Sequence, residues 1–247
     1  VCPVAEPYKK RTSHGMVLGD DGQKMSKARG NVINPDDVVD QIGADAFRMY
    51  EMFMGAFEQP IPWSINGARG CRRFLDRVWR LQEMLDDKAK GISKDLEINI
   101  NSTIKKVSED YERMKFNTAI AAMMSLVNDL YLKGSVTRDE LKALLLLLSP
   151  VAPHICEEMW QTQGFGSPLY AQPWPAYDEN KLVADEVEIA LQINGKVRGR
   201  LMVPSTMTRE EGEKTLPQNP DVVRFTEGKS IMKIIFVPGR LLNLVVK

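Results

Sequence analysis

The apolar positions along this chain change period twice, and each change marks a boundary. From Ala68 to about Gln163 they recur every three or four residues. Within 68–90, Phe74, Leu75, Val78, Leu81 and Leu85 share one helical face. The same spacing predicts helices at about 95–113, 117–133, 137–149 and 153–163, with Pro150 and Pro153 punctuating the last two. Four or five such helices pack most naturally as an antiparallel bundle. Residues 164–180, "GFGSPLYAQPWPAYDEN", lose the period and read as an irregular linker.

Further on the period drops to two. Val187, Ile189, Leu191 and Ile193 alternate, as do Val197, Leu201 and Val203, with Asn194-Gly195 between the runs. A two-residue loop would pair Ile193 with Lys196 and set the two apolar runs on opposite faces. The pattern therefore predicts a three-residue turn with Gly195 left-handed, and a polar face carrying Arg198, Arg200 and, if it is not in the turn, Lys196. "TREEGEKTLPQNPDVVRFT" reads as helix plus helix or turn, and two more strands meet at Pro238-Gly239. A small α+β domain follows from these elements.

Ahead of residue 68 the pattern is mixed. "HGMVL" at 14–18 reads as a strand, "GDDG" at 19–22 as a turn. "NPDDVVDQIG" reads as a helix with Asn34 as cap, Pro35 first, Asp36 and Asp37 at the positive dipole end and Gly43 closing it. "ADAFRMYEMFMG" is a second helix, and "PIPW" at 60–63 breaks the pattern. The predicted fold is multidomain and mainly α: residues 1–68 as the edge of a larger domain, 69–180 as bundle plus linker, and 181–247 as the small α+β domain.

Composition narrows the classes. Lys+Arg and Asp+Glu both number 33, so any basic surface must come from local segregation of charge. Cys2, Cys71 and Cys156 lie far apart without metal or disulfide spacing, which suits a reducing cytosol. The longest apolar run, "LLLLL" at 144–148, is far short of the about 20 residues a membrane span needs. No signal-peptide pattern is visible. The chain opens on Val1 without a recognisable domain start, which points to a piece of a longer polypeptide.

Two basic stripes and one loop carry candidate chemistry. Arg69, Arg73, Arg77 and Arg80 follow at helical steps with Arg72 adjacent, opposed only by Asp76. That stripe, like Lys196–Arg200, is either a solvated face or an RNA-backbone contact. The loop "QKMSKARGN" (23–31) places Lys24 and Lys27 just beyond a strand end. It is either a solvated turn or a device for meeting the charge that builds on a departing pyrophosphate, with Ser26 and backbone N–H groups adding hydrogen bonds. Lysine suits that task as a compact point charge on a mobile stem. His154, just after Pro153, reads as a satisfied buried or capping residue. The clustered methionines read as core filler. Phe165, Tyr170, Trp174 and Tyr177 either pack the linker over the bundle or stack RNA bases.

"KMSKA" followed by "RGNVINPDDVVDQIGADAFRMY" closely resembles the signature loop and following helices of class I aminoacyl-tRNA synthetases. Ala28 stands where that motif usually ends in Ser. "WSINGARGCRRFLDRVWRL", "KFNTAIAAMMSLVNDL" and "LLLLSPVAPHICEEMW" resemble the helical, anticodon-binding bundle of the leucyl, isoleucyl, valyl and methionyl subgroup. "LQINGKVRGRLMVP" is similar to the C-terminal domain of bacterial leucyl-tRNA synthetases. The resemblance covers nearly the whole chain. It implies that residues 1–68 end a nucleotide-binding catalytic domain, with Lys24 and Lys27 catalytic and Lys24, Met25, Ser26 and Lys27 touching ATP. It implies ATP with Mg²⁺, leucine and tRNA(Leu) as the full-length enzyme's cofactor and partners, no protein metal ligand in this stretch, a cytoplasmic monomer, and no membrane. It raises Arg69, Arg72, Arg73, Arg77, Arg80, Lys196, Arg198 and Arg200 as tRNA contacts. A HIGH-type second ATP signature is absent here, so it, the leucine pocket and an editing domain are expected upstream of Val1. A valyl or isoleucyl enzyme, or an RNA-binding module without catalysis, are the rival readings.

Overall fold

A computed structural model of the chain describes residues 8–182 and 186–247; Cys2 lies outside them. The chain divides into two compact units, one running to Glu179 and one from Asn180 to Lys247.

The first unit opens with strand β1 (Val17–Leu18), which pairs in parallel with β2 (Ile61–Pro62). The proline-flanked stretch that reads as a break in the pattern is thus a short strand. Its ladder explains why: Ile61 and Trp63 donate to the carbonyls of Met16 and Leu18, so Pro62 falls where no N–H is needed. Between the strands lie helices α1 (Pro35–Ile42) and α2 (Ala44–Phe53). The Asn34 side chain accepts from the Asp36 N–H, Pro35 opens α1, and the N–H of Gly43 closes it on the Val39 carbonyl.

The bundle is α3 (Ile65–Arg80), α4 (Lys94–Glu112), α5 (Phe116–Lys133), α6 (Arg138–Leu148) and α7 (Pro153–Thr162). The last four match the predicted spans closely. Helix α3 differs from the expected 68–90. It begins earlier, where the Ser64 hydroxyl accepts from the Gly67 N–H, and after Arg80 it tightens into a 3₁₀ turn at Leu81–Met84. Leu85, expected on the helical face, instead bridges to Val136. One apolar core runs from Val38 in α1 through all five bundle helices to Leu169. The residues on either side of 68 therefore share a core.

Two polar contacts tie sequence-remote elements together. From α2, the Asp45 carboxylate accepts from the His154 and Ile155 N–H groups and meets His154 Nδ1 at 2.7 Å, capping α7 from 109 and 110 residues away. From the same helix, Arg48 donates to the Pro150 carbonyl. His154 is neither buried nor a cap: its side chain is 73% exposed, and it is the group being capped. Over the bundle, Phe165 packs edge-on against Trp160, and Trp174 donates its indole N–H to the Ser108 hydroxyl. Of the four linker aromatics, Tyr170 stands out in solvent.

The second unit is a four-stranded sheet in the order β4-β3-β6-β5, built from β3 (Glu186–Ile193), β4 (Lys196–Pro204), β5 (Ile231–Val237) and β6 (Leu241–Val246). Helices α8 (Arg209–Thr215) and α9 (Pro220–Thr226) join the two hairpins, and the central strands β3 and β6 run parallel. Its core gathers Ile189, Leu191, Leu201, Val203, Phe236 and Leu244.

The hairpin corrects the sequence reading. The turn has two residues, Asn194 at φ +50° and Gly195 at φ +77°, with Ile193 opposite Lys196. The extra residue that the apolar pattern demands is supplied inside β4, where Leu191 pairs with Gly199 but Gln192 with Val197, leaving Arg198 in a bulge. Leu201 and Val203 consequently face the core, whereas Val197 moves to the opposite face and is exposed. Lys196, Arg198 and Arg200 therefore do not line up on one polar face. Arg200 sits on the outer face opposite Ala190, Arg198 at the bulge, and Lys196 opposite the core-facing Ile193 at the strand end.

Candidate functional site: a lysine loop and two basic surfaces

The loop is built from backbone closures. Gly22 donates to the Gly19 carbonyl and Gly19 to that of Gln23, which turns the chain after β1 and bridges Lys24 back to Leu18. Lys27–Arg29 form one 3₁₀ turn, closed by Gly30 at φ +68°, whose N–H reaches the Ser26 and Lys27 carbonyls. Lys24 and Lys27 are exposed, one on each side of Met25, which is partly buried and packs against the bundle core. The apolar anchor between the cations holds the loop down while their stems stay free. The Ser26 hydroxyl makes no capping bond to its own turn.

A side chain missed in the sequence holds this shape. Asn31 Oδ1 accepts from the Ser26 N–H at 2.8 Å. Its Nδ2 donates to both Asp21 carboxylate oxygens at 3.2 and 3.1 Å and reaches the Lys24 carbonyl at 3.4 Å. Asp21 also accepts from the Gln23 N–H at 2.9 Å. That bond, helped by Asn31 and by the nearby Arg29 charge, holds the Asp21 carboxyl below its usual range. The one signal in the sequence is an Asx residue at each end of a glycine-bounded turn.

On α3 the arginines do share a face. Arg72 pairs with Asp76 at 2.9 Å and reaches the Ile42 carbonyl. Arg77 donates to Asn128 Oδ1 and lies over the Tyr131 ring at 4.8 Å. Arg69, Arg73 and Arg80 are exposed and form no ion pair among the described residues. Two of the five are thus engaged in packing and three present free charge. In the second unit Arg200 is held by Glu188 at 2.7 Å, while Lys196 and Arg198 are exposed.

Cys71 and Cys156 are buried and unpaired, and burial pushes the Cys71 thiol up to about 11, which leaves both inert. Among the described residues no group of three or more His, Cys, Asp or Glu side chains is placed to hold a metal ion, and no helix is long and apolar enough to cross a membrane.

Comparison with known proteins finds matches that include the loop and four of the bundle helices, α4 to α7. Residues 3–62 match the family described as tRNA synthetases class I (I, L, M and V), and residues 94–212 match the anticodon-binding domain of tRNA ligase. The chain is 54% identical over its whole length to a leucine–tRNA ligase of Alkaliphilus oremlandii (strain OhILAs) and spans 31% of that protein. It is similar to the chain solved in a ternary complex of Agrobacterium radiobacter K84 agnB2 LeuRS with tRNA and LeuAMS. That match has 33% identity and a TM-score of 0.73, covering 99% of this chain and 34% of the other.

Proposed function

Because the chain belongs to the class I tRNA synthetases, as a homologue of leucine–tRNA ligases, we propose that it supplies the pyrophosphate-binding loop and much of the tRNA-binding body of an enzyme that activates leucine with ATP and esterifies tRNA(Leu). The observation that carries this reading is the pair of exposed lysines on a loop held by its own backbone and by Met25. Lys24 and Lys27 would meet the charge that grows on the departing pyrophosphate. Ser26, with its hydroxyl uncommitted to the turn, would donate beside them. Mg²⁺ would enter on the triphosphate. The three free arginines of α3 and the exposed Lys196 and Arg198 suit phosphate and sugar contacts, which position an RNA without reading its sequence. Domain roles follow the same reading: 1–68 belongs to catalysis, 69–180 and 181–247 to tRNA. The setting is a cytoplasmic monomer. A valyl or isoleucyl identity, or a module without catalysis, is disfavoured by similarity to a leucine–tRNA ligase along the whole chain.

The test is leucine-dependent ATP–pyrophosphate exchange in the polypeptide that the gene encodes. Lys27→Ala should slow exchange roughly 10²–10³-fold, the scale for losing one donor to the transition state. Exchange at the parental rate in a folded variant removes the assignment.

A further inference from the structure

We propose that Asn31 is a positioning residue for the lysine loop, acting through Asp21. The inference rests on the reading of Lys24 and Lys27 as the groups that meet pyrophosphate. A mobile loop can stabilise developing charge only if its cations are near the right place before the charge appears. One side chain here ties three points of the loop. Asn31 grips the N–H of Ser26, directly before Lys27, and the carbonyl of Lys24 itself, while its remaining donor capacity goes to Asp21 at the loop's start. Both lysines are therefore spaced by one amide.

The chemistry of the cradle fits an amide and little else. Position 31 must accept from one N–H and donate to one carboxylate at the same time. Aspartate there would keep the bond from Ser26 but set a second carboxylate against Asp21. Alanine would do neither. The neighbouring Gly19 is part of the same arrangement: a Cβ there would stand 2.7 Å from Asp21 Oδ1 and 3.0 Å from Asn31 Nδ2, so the clamp needs that position bare. Asp21 is oriented in turn by the Gln23 N–H, from which it accepts at 2.9 Å.

The test uses two readouts. In the 247-residue chain, amide hydrogen exchange at Ser26 reports the clamp without any catalysis. In the polypeptide that the gene encodes, ATP–pyrophosphate exchange reports its consequence. Asn31→Ala should speed Ser26 amide exchange. It should also lower kcat roughly ten- to a hundredfold with a smaller change in the KM for ATP, the signature of lost orientation. Asn31→Asp should be similarly impaired, and the exchanged pair Asp21→Asn with Asn31→Asp should recover much of the loss, because donor and acceptor are then restored in reverse. A change that only loosened the fold would not be rescued by the reversed pair. If Lys27→Ala is impaired while Asn31→Ala exchanges pyrophosphate normally, the clamp is overturned and the reading of the loop stands. If Lys27→Ala is normal while Asn31→Ala frees Ser26, the reading of the loop is what fails. An unchanged Ser26 amide in Asn31→Ala overturns the clamp outright.

Discussion

At the scale of single residues, the most consequential polar side chain outside the loop is Glu140. Its carboxylate is fully buried at the start of α6. It accepts from the Ser93 N–H at 3.0 Å and the Ser93 hydroxyl at 2.5 Å, from Lys133 Nζ at 2.7 Å, and from the Thr137 N–H at 2.9 Å. One group thus joins the start of α4, the end of α5 and the cap of α6. Burial by itself would push the carboxyl up, but the bonds from Lys133, Ser93 and Thr137 outweigh it and hold it below its ordinary value of 4.5. A depressed carboxyl contributes its stability above the unfolded value and loses it as pH falls through the folded one. Glu140→Gln should therefore cost about 3 kcal/mol at pH 7, because Lys133 keeps its charge in a site only 12% exposed. Urea unfolding across pH should show the deficit narrowing below about pH 4.5. A deficit that stays constant down to pH 3 would mean Glu140 is not ionised in the fold. The structure shows Glu140 and Thr137 forming a reciprocal capping box, whereas Lys133 and Ser93 reach the same carboxylate from outside that local motif.

Among the elements, the β3–β4 hairpin shows how a local rule and a global one are reconciled. Asn194-Gly195 is chemically suited to a two-residue turn with both residues left-handed. The apolar alternation needs one residue more. The bulge at Arg198 satisfies both. Deleting Arg198 would only make the ladder regular, with Leu201 still opposite Ile189, whereas inserting one residue after Gly199 should force either a second bulge or Leu201 and Val203 out of the core. With each side chain worth about 1.5–3 kcal/mol when buried, the second unit should lose about 3 kcal/mol or more. Arg198→Ala keeps the bulge and should leave the urea midpoint nearly unchanged. Equal midpoints for the insertion and the parent would show that the register is set elsewhere. The helices posed no such conflict. Asn34 caps α1 as expected, and the periodic apolar faces placed α4 to α7 within a residue or two of their bounds; α3 is the exception, ending at Arg80 and not near 90.

For the molecule as a whole, the division at Glu179 and Asn180 suggests a separable task for each unit. On the proposed function, removing residues 186–247 from the encoded polypeptide should spare leucyl-adenylate formation and sharply reduce transfer to tRNA at low tRNA concentration. The salt dependence of RNA binding should flatten as well, by about one unit of log slope or less for each phosphate no longer neutralised. Unaffected aminoacylation would make Lys196 and Arg198 a solvated surface. The α3 arginines should separate in the same way: replacing Arg69, Arg73 or Arg80, which form no ion pair among the described residues, should change RNA binding with little effect on stability. Replacing Arg77 should do the reverse, because it packs on Tyr131 and bonds to Asn128.

The sequence by itself determined most of the elements and their order, a bundle of four or five helices, the paired hairpins of the second unit and the location of the lysine loop. Each of these follows from interactions between residues a few positions apart: helical or alternating apolar spacing, caps, and glycine-bounded turns. Tertiary structure alone decided what depends on distant partners. It set Asp45 as the cap of a helix 109 residues away, turned Ile61-Pro62 into a strand beside Val17-Leu18, and made Leu85 a bridge to Val136. It also placed Arg198 in a bulge, breaking an apparent basic strip. A one-dimensional pattern carries the period of a side chain, but only packing chooses which opposing strand or helix end that side chain will meet.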